Sequence, residues 1–240
     1  MRRKRIENPA ALAVLIGLVA AAGGCAGRAE LEPAPSAETM AGGAGAVDRV
    51  AGIHVSAVPA EWPGPVDIAE EVTPLRLRIE NDGSAPLLVR YENFALIAPG
   101  GERSSALPPF EVEGEAARDL GAAPATPVAD PAFVYDRFAV APYYRGYYPG
   151  FSVAADPFYH DPLYFGLYRD YWVDIALPTE RMLQLALPEG RLEPGGSLDG
   201  WVYFERVDPD LERVRLRVDL VDARSGRTIG EATMPFRVKS

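Results

Sequence analysis

Few side chains in this chain could act as a nucleophile, a general base or a soft metal ligand. Its 240 residues include two histidines, His54 and His160, and one cysteine, Cys25. A hydrolase of the Ser/His/Asp type must take its base from one of these histidines. His54 alternates with apolar residues in a predicted strand, and the sequence lacks the G-x-S-x-G turn that presents a nucleophilic serine. The histidines therefore give no support to a serine hydrolase.

A second arrangement with chemical potential is the stretch DPFYHDP, which places Asp156, His160 and Asp161 within six residues. Carboxylate and imidazole groups are ligands that several divalent metals accept. No HExxH, CxxC or calcium-loop pattern supplies the further ligands that a protein metal site needs, and Asp before Pro is common in turns. We therefore predict no metal and no cofactor, and the sequence also lacks a glycine-rich phosphate loop.

The first 24 residues have the organisation of a secretory signal. The segment MRRKR carries four positive charges, and the run from Pro9 to Gly24 carries none. This uncharged run is shorter than the roughly 20 apolar residues that a helix needs to span a bilayer. The small residues at 22–24 directly precede Cys25, as a signal peptidase that selects small side chains requires.

The tetrapeptide AGGC at 22–25 resembles the lipobox of bacterial lipoproteins. The resemblance implies that residues 1–24 are removed and that Cys25 is acylated on its sulfur and its amino group, which anchors the chain in a membrane. The alternative is an ordinary cysteine beside a signal that another peptidase cleaves, but a lone cysteine in an exported protein has no intramolecular disulfide partner. Ala26 follows where the enterobacterial pattern for inner-membrane retention has Asp, which implies the outer membrane, facing the periplasm.

The mature chain is acidic and starts with a segment that lacks apolar periodicity. Removal of residues 1–24, which hold four basic residues and one acidic residue, changes the formal net charge from −10 to −13. Such a surface repels phosphate backbones, and no basic stripe with interleaved aromatics is present, so we exclude nucleic acid as a partner. Residues 25–47 are rich in Ala, Gly and Pro, which predicts a flexible tether. Residues 48–240 are long enough for one well-cored domain.

Two stretches alternate apolar and polar residues with the period of a half-buried strand, PLRLRIEN at 74–81 and RVRLRVDL at 213–220. Turn signals bracket the strands: NDGS at 81–84, PGGE at 99–102, PGGS at 194–197 and RSGR at 224–227. Further strands are predicted at 52–58, 86–92, 94–98, 107–113, 198–206 and 228–238. Because like charges directly opposite each other destabilise a sheet, we expect the two arginine rows not to be register neighbours.

Short strands at hairpin spacing predict an all-β fold: an antiparallel β-sandwich with a long aromatic-rich loop insertion at about 113–172 and one short helix. The stretches IENDGSAPLLVRYENFAL and LEPGGSLDGWVYFE resemble the immunoglobulin-like accessory domains of bacterial lipoproteins. That resemblance implies that Trp201 and Phe204 enter the core. It implies a fold and leaves the function open.

The one short helix is predicted within TERMLQLAL at 179–187. Thr179 would cap its N terminus, and the proline and glycine that follow the stretch would end it. Met182, Leu185 and Ala186 then share one face, which we expect to cover an end of the sandwich. Binding of a partner is the alternative role for this helix.

The least ordinary feature is residues 133–172, hereafter the aromatic segment, which hold 15 of the 23 aromatic residues of the chain. Their prolines and glycines disfavour a long helix or a regular central strand and predict an irregular loop. A monomer rarely exposes an apolar patch above a few hundred Å², so most of these rings must be covered. In one interpretation the segment only completes the core. In the other, Tyr143, Tyr144, Tyr147 and Tyr148 stay exposed and stack on sugar or an envelope protein.

Together these features predict a membrane-anchored envelope lipoprotein that is not an enzyme but a binding or assembly-accessory module. Its expected partners are the membrane, through the lipid on Cys25, and an envelope protein or glycan. One alternative is an envelope hydrolase that acts on polysaccharide through two carboxylates, since so many acidic residues always allow some pair at the right spacing. Another is a structural protein held close to peptidoglycan.

Overall fold

The computed structural model describes residues 29–63, 68–69, 71–109, 132–148, 150–164 and 180–239. Within these ranges the chain is nearly all β, with one short α-helix, which confirms the predicted antiparallel all-β class. The immunoglobulin-like resemblance stays a prediction. The predicted signal peptide, Cys25 and Thr179 lie outside the described residues.

The strands of the described ranges form one antiparallel sheet of eleven strands. In chain order they are β1 (Glu30–Pro33), β2 (Ala46–Val50), β3 (Ile53–Val58), β4 (Val72–Asn81), β5 (Leu87–Val89), β6 (Phe94–Ile97), β7 (Arg103–Leu107), β8 (Val134–Val140), β9 (Gly190–Glu205), β10 (Arg213–Asp222) and β11 (Thr228–Lys239). The helix α1 spans Glu180–Leu185, and three 3-10 helices span Tyr91–Asn93, Pro142–Gly146 and Phe158–His160. β7 ends where the strand predicted at 107–113 begins, so that prediction is wrong for residues 108 and 109, and 110–113 lie outside the described residues.

The sheet runs in the order β1-β11-β10-β6-β7-β9-β4-β3-β2, with β5 pairing with β10 and β9, and β8 with β9. It folds over so that its two halves share one core, because Leu77 of β4 belongs to the same buried cluster as Leu216 of β10. The ends of the sheet also approach each other, since the Thr233 amide of β11 donates to Asp48 Oδ2 of β2 at 2.7 Å. β9 pairs with β4, β5, β7 and β8 and therefore connects the two halves.

The alternating stretches form the strands that they predict. In β4, Leu75, Leu77 and Ile79 are buried while Arg76 and Arg78 are exposed, and β10 repeats this pattern. Burial of each aliphatic side chain contributes about 1.5–3 kcal/mol. A slip of one residue would expose all of them, so this alternation specifies the register. The two arginine rows lie on strands that are not neighbours, as expected.

The prediction of a flexible tether is wrong for residues 29–47. Glu30–Pro33 pairs with β11, and Ala46–Val50 pairs with β3. Leu31 and Ala46 are buried in the shared core. An edge strand takes its backbone hydrogen bonds from one neighbour and needs few apolar side chains, so its composition does not distinguish it from a linker.

The PGGS sequence at 194–197 is not a hairpin turn, because it lies inside β9. Gly195 has a φ of 75°, and Arg137 of β8 has a φ of 50°. The register between β8 and β9 shifts from Asp136 to Phe138, which identifies a bulge. Glycine favours a bulge for the same reason that it favours a turn, since it adopts positive φ without the Cβ penalty.

The helix prediction is confirmed for α1. Met182, Leu185 and Ala186 are all buried in a second, smaller cluster of apolar side chains. Trp201 of β9 belongs to this cluster, and Phe204 belongs to the main core. Both aromatic residues thus enter the interior, as the family resemblance implies.

Candidate functional site

Eleven of the fifteen rings in the aromatic segment lie in described residues, and they differ in exposure. Six are buried: Phe133, Phe138, Tyr144, Tyr148, Phe158 and Tyr164. Three are half-buried, Tyr143, Tyr147 and Phe151, and two are exposed, Tyr135 and Tyr159. Most of these rings therefore complete the core, as the first of the two interpretations of the segment expects.

The aromatic segment is not an irregular loop throughout. Val134–Val140 forms β8, which pairs with β9, so the loop prediction is wrong for these residues. The first proline of the segment, Pro142, comes after β8. The strand itself contains no proline, so all its amide groups are available to pair with β9. Beyond β8 the described chain contains two 3-10 helices and a parallel bridge between Val140 and Val153.

The four tyrosines predicted to be exposed divide into two pairs. Tyr144 is 0% exposed and Tyr148 1% exposed, and their rings stack with centroids 6.1 Å apart. The prediction of exposed binding residues is wrong for these two. The Tyr148 amide donates to Tyr144 O at 2.9 Å, and this helical turn turns both side chains inward. Tyr143 and Tyr147 are half-buried, with ring centroids 5.8 Å apart.

Hydrogen bonds hold the buried tyrosine hydroxyls. Tyr91 Oη donates to Leu187 O at 2.5 Å, and Tyr148 Oη donates to Leu183 O at 3.0 Å. The hydroxyls of Tyr91 and Tyr144 also hydrogen-bond to each other. Burial raises the pKa of all three phenols above the usual range. These groups therefore stay protonated and are unsuited to act as bases.

One carboxyl group is buried beneath the aromatic segment. Glu189 is 5% exposed, and its Oε1 accepts a hydrogen bond from the Tyr91 amide at 2.8 Å. The buried Tyr164 hydroxyl interacts electrostatically with the same carboxyl group. Burial raises the pKa of Glu189 to about 8, although the hydrogen bond from the Tyr91 amide and the nearby Arg90 guanidinium oppose the rise. Glu189 is thus largely protonated at neutral pH.

Arg90 fastens the far end of the described aromatic segment to the sheet. Its Nη1 donates to Asp161 Oδ2 at 2.7 Å and to Glu92 Oε1 at 3.1 Å. Its guanidinium carbon lies 4.9 Å from the centre of the Phe158 ring and 5.5 Å from that of Tyr164. Partial burial tends to raise the pKa of Asp161, but the hydrogen bond from Arg90 outweighs this effect and lowers that pKa below its ordinary value. We refer to these five residues as the Arg90 latch.

The residues considered as metal ligands do not converge. Asp161 is engaged in the Arg90 latch, and Asp156 and His160 are exposed. His54 lies apart from them on β3, with Nε2 3.9 Å from Asp82 Oδ2. Across the described ranges, no group of three or more His, Cys, Asp or Glu side chains is arranged to hold a metal ion.

The solvent side of the aromatic segment carries a pair of rings, Tyr135 and Phe151. Tyr135 is 44% exposed, and its ring centre lies 4.6 Å from that of half-buried Phe151. The buried Phe133 ring lies 5.6 Å from each of them, and the buried Tyr148 ring lies 5.6 Å from Phe151. The two outer rings are therefore held in place by the core. We refer to them as the outer ring pair.

Sequence reasoning missed the polar groups under the segment. Arg90 lies within the strand predicted at 86–92, where a charged side chain is ordinarily expected to face solvent. Glu189 stands between a proline and a glycine just after the predicted helix, where a solvated loop is the ordinary expectation. No local signal distinguishes either residue, because the groups that bury them lie far away in the chain.

The chain matches no known family model, no curated protein and no solved structure. None of the helices in the described ranges has the length and apolar character needed to cross a membrane. A functional role has to be inferred from the chain's own residues.

Proposed function

We propose that this protein is a lipid-anchored lipoprotein of the bacterial outer membrane, facing the periplasm, that binds another envelope component without catalysing a reaction. The anchor rests on the lipobox-like AGGC at 22–25 and on the signal before it. An acyl chain contributes about 0.8 kcal/mol per buried CH₂, so two or three chains on Cys25 would hold the protein on a bilayer.

The variant Cys25→Ser tests the anchor. Cells supplied with a labelled fatty acid should label the wild-type protein and not this variant, which should also leave the detergent phase on phase separation. The matched control is Ala26→Asp, which keeps the cysteine and its label and, by the sorting pattern, should shift the protein to the inner membrane. Acyl labelling of the Cys25→Ser variant would overturn the anchor.

The outer ring pair is the observation that carries the binding role. Tyr135 and Phe151 face solvent at one end of a ring cluster whose inner members, Phe133 and Tyr148, are buried. Rings that are already immobilised lose little conformational entropy on binding, and tyrosine adds a polar tip to a flat apolar surface. Such a surface suits stacking against a sugar ring or an apolar side chain of a protein. Tyr143 and Tyr147 add half-buried ring area to the same segment.

A hydrolase that uses Glu189 is the alternative. A carboxyl group with a raised pKa is what a general acid requires. Glu189 is 5% exposed, however, and its Oε1 accepts a hydrogen bond from the Tyr91 amide, so a substrate could reach it only after displacement of the residues that cover it. Burial accounts for the raised pKa without a catalytic role, so Glu189 gives no preference for a hydrolase over a binding protein. Hydrolysis of an envelope polysaccharide by wild type, lost in Glu189→Gln, would favour the hydrolase.

The binding role is tested on the full-length protein with the double variant Tyr135→Ser, Phe151→Ser. Wild type should co-sediment with purified peptidoglycan or another envelope polysaccharide, and the double variant should lose at least tenfold in affinity. Tyr159→Ser is the matched control, because Tyr159 is an exposed ring outside the pair. It should leave the affinity unchanged.

A photo-crosslinking amino acid at position 135 distinguishes a protein partner from a glycan. If the partner is a protein, this group should yield a discrete crosslinked adduct in intact cells. The same group at exposed Glu102 should not yield that adduct. Absence of both a position-specific adduct and ring-dependent glycan binding would sink the binding role of this surface.

A further inference from the structure

A second surface with unusual chemistry lies on the outer face of β10, away from the aromatic segment. Arg213 and Arg215 point out of the sheet, while Val214 and Leu216 between and after them are buried. Arg237 of β11 is the direct register partner of Arg213. Three arginine side chains therefore lie together at one end of the β10–β11 pair, in a chain whose formal net charge is −10. We refer to these three residues as the basic end.

The ion pairs on this face are unevenly distributed. Arg217, in the same row, donates to Asp219 at 3.0 Å and lies 3.6 Å from Glu231. Arg237 lies 3.4 Å from Glu32. Within the described ranges Arg213 and Arg215 form no ion pair, although acidic residues outnumber basic ones in the chain.

The direct opposition of Arg213 and Arg237 does not stabilise the sheet. Like charges on directly opposite residues of neighbouring strands repel, and an acidic residue at either position would remove the repulsion. On the same two strands the register partners Asp219 and Glu231 are also like charges, but they share Arg217 as a counter-ion. Among the described residues Arg213 has no such counter-ion. The basic end is therefore better suited to an anion from outside the chain.

A cavity of about 670 Å³ opens at the basic end. All three arginines line it, together with Ser36 and Glu212. The three arginines and Glu212 give the lining a net charge of +2. The ion pair between Arg237 and Glu32 partly neutralises one of these positive charges. The remaining lining is apolar and includes Pro35, Ile97 and Pro99.

We propose that this cavity binds the phosphate group of an organic ligand, a sugar phosphate or a phospholipid headgroup. A guanidinium presents paired N–H donors that match phosphate oxygens, and several arginines can share one phosphate. The volume falls in the range of small-ligand sites and exceeds what an inorganic phosphate fills, while the apolar lining suits the carbon part of the ligand.

The position of the cavity brings phospholipid headgroups within reach. Ala34 and Ser36 line it, only nine and eleven residues after Cys25. If Cys25 carries the proposed lipid, an extended chain of nine residues keeps the cavity within about 30 Å of the bilayer. This argument alone rests on the anchor; the cavity and its charge do not.

Arginine footprinting on the full-length protein in a non-ionic, phosphate-free detergent tests the proposal. Phenylglyoxal modification of each arginine is followed by mass spectrometry, with glycerol 1-phosphate as the soluble ligand and phosphatidylglycerol in the micelle as the headgroup. At least one of them should slow modification of Arg213 and Arg215 tenfold or more and leave Arg217 unchanged. Protection by the first identifies a soluble phosphate, and protection by the second alone identifies a headgroup. No protection by either, or equal protection of Arg217, rejects the site.

Variants provide a second readout. The double change Arg213→Gln, Arg215→Gln should weaken binding of the protecting ligand at least tenfold in calorimetry, whereas Arg217→Gln, from the same row, should change it less than twofold. Circular dichroism checks that each variant is folded. Should the double variant unfold, Arg215→Lys keeps the charge but not the paired donors and should weaken binding severalfold. Unchanged affinity in the folded double variant or in Arg215→Lys would overturn the proposal.

Discussion

Arg90 Nη1 and Asp161 Oδ2 lie 2.7 Å apart, and this ion pair joins two residues separated by 71 positions in the chain. Arg90 directly follows β5, whereas Asp161 belongs to the aromatic segment. The Arg90 side chain is only 9% exposed, so it has little access to water in place of Asp161. The pair therefore contributes to holding the segment against the sheet.

Asp161→Asn should loosen the aromatic segment. Loss of the charge leaves the buried Arg90 guanidinium with the more exposed Glu92, and we expect a destabilisation of about 1–2 kcal/mol after allowance for solvent screening. Limited proteolysis should cut the segment faster, and the unfolding midpoint should fall. The matched variant Glu92→Gln removes a partner that is 52% exposed and should cost under about 1 kcal/mol. An effect of Glu92→Gln as large as that of Asp161→Asn contradicts the latch.

Stability should fall as the pH rises from about 4.5 to about 8, because of Glu189. Its folded pKa of about 8 lies above the ordinary value of 4.5, so the folded state binds the proton more tightly than the unfolded state. The stabilisation is fully present below the pKa that Glu189 has in the unfolded state. It is lost as the pH rises to the pKa of Glu189 in the folded state. At about 1.4 kcal/mol per pKa unit the total is a few kcal/mol. Denaturant unfolding at several pH values should show this slope.

Glu189→Gln is the control for this pH dependence. The amide keeps an oxygen to accept the Tyr91 N–H but cannot ionise, so the slope between pH 4.5 and 8 should flatten. The stability of the variant relative to wild type should therefore increase as the pH rises. A slope that persists unchanged in Glu189→Gln assigns the pH dependence to other groups.

The two tyrosine pairs should respond differently to truncation. Tyr144→Ser or Tyr148→Ser empties a fully buried site and should cost about 3–5 kcal/mol, as large-to-small changes of core aromatics do. Tyr143→Ser and Tyr147→Ser affect half-buried rings one position earlier in the chain and should cost much less. Thermal unfolding of the four single variants measures the difference. Equal losses in the two pairs are incompatible with the inward turn described for Tyr144 and Tyr148.

Gly190→Ala should disrupt the contact between β8 and β9. A Cβ at this position would lie 2.1 Å from Ala139 O and 2.4 Å from a ring carbon of Phe138, so the strands would have to separate. We expect a cost of about 1–3 kcal/mol or more from this overpacking. Gly100→Ala is the matched control, because a Cβ there meets nothing within 4 Å, and the change should stay within about 0.5 kcal/mol. Chemical denaturation of both variants provides the comparison.

The sequence by itself determined the elements whose signal is local. Alternation identified β4 and β10, and the apolar face of Met182 and Leu185 identified α1, because each pattern depends only on residues a few positions apart. The same patterns predicted the antiparallel all-β class. The lipid anchor at Cys25 is also a prediction from local sequence, and it awaits the labelling experiment.

Only the tertiary structure decided which residues are edge strands, bulges or buried polar groups. Glu32 of β1 meets Arg237 of β11 across 205 positions, and no feature of residues 25–47 encodes that partner. Tyr144 and Tyr143 are chemically identical neighbours, yet one is buried and the other half-buried, because the direction of a helical turn relative to the sheet separates them. Burial and pairing are properties of distant contacts, and a local pattern specifies them only when one face of an element is apolar throughout.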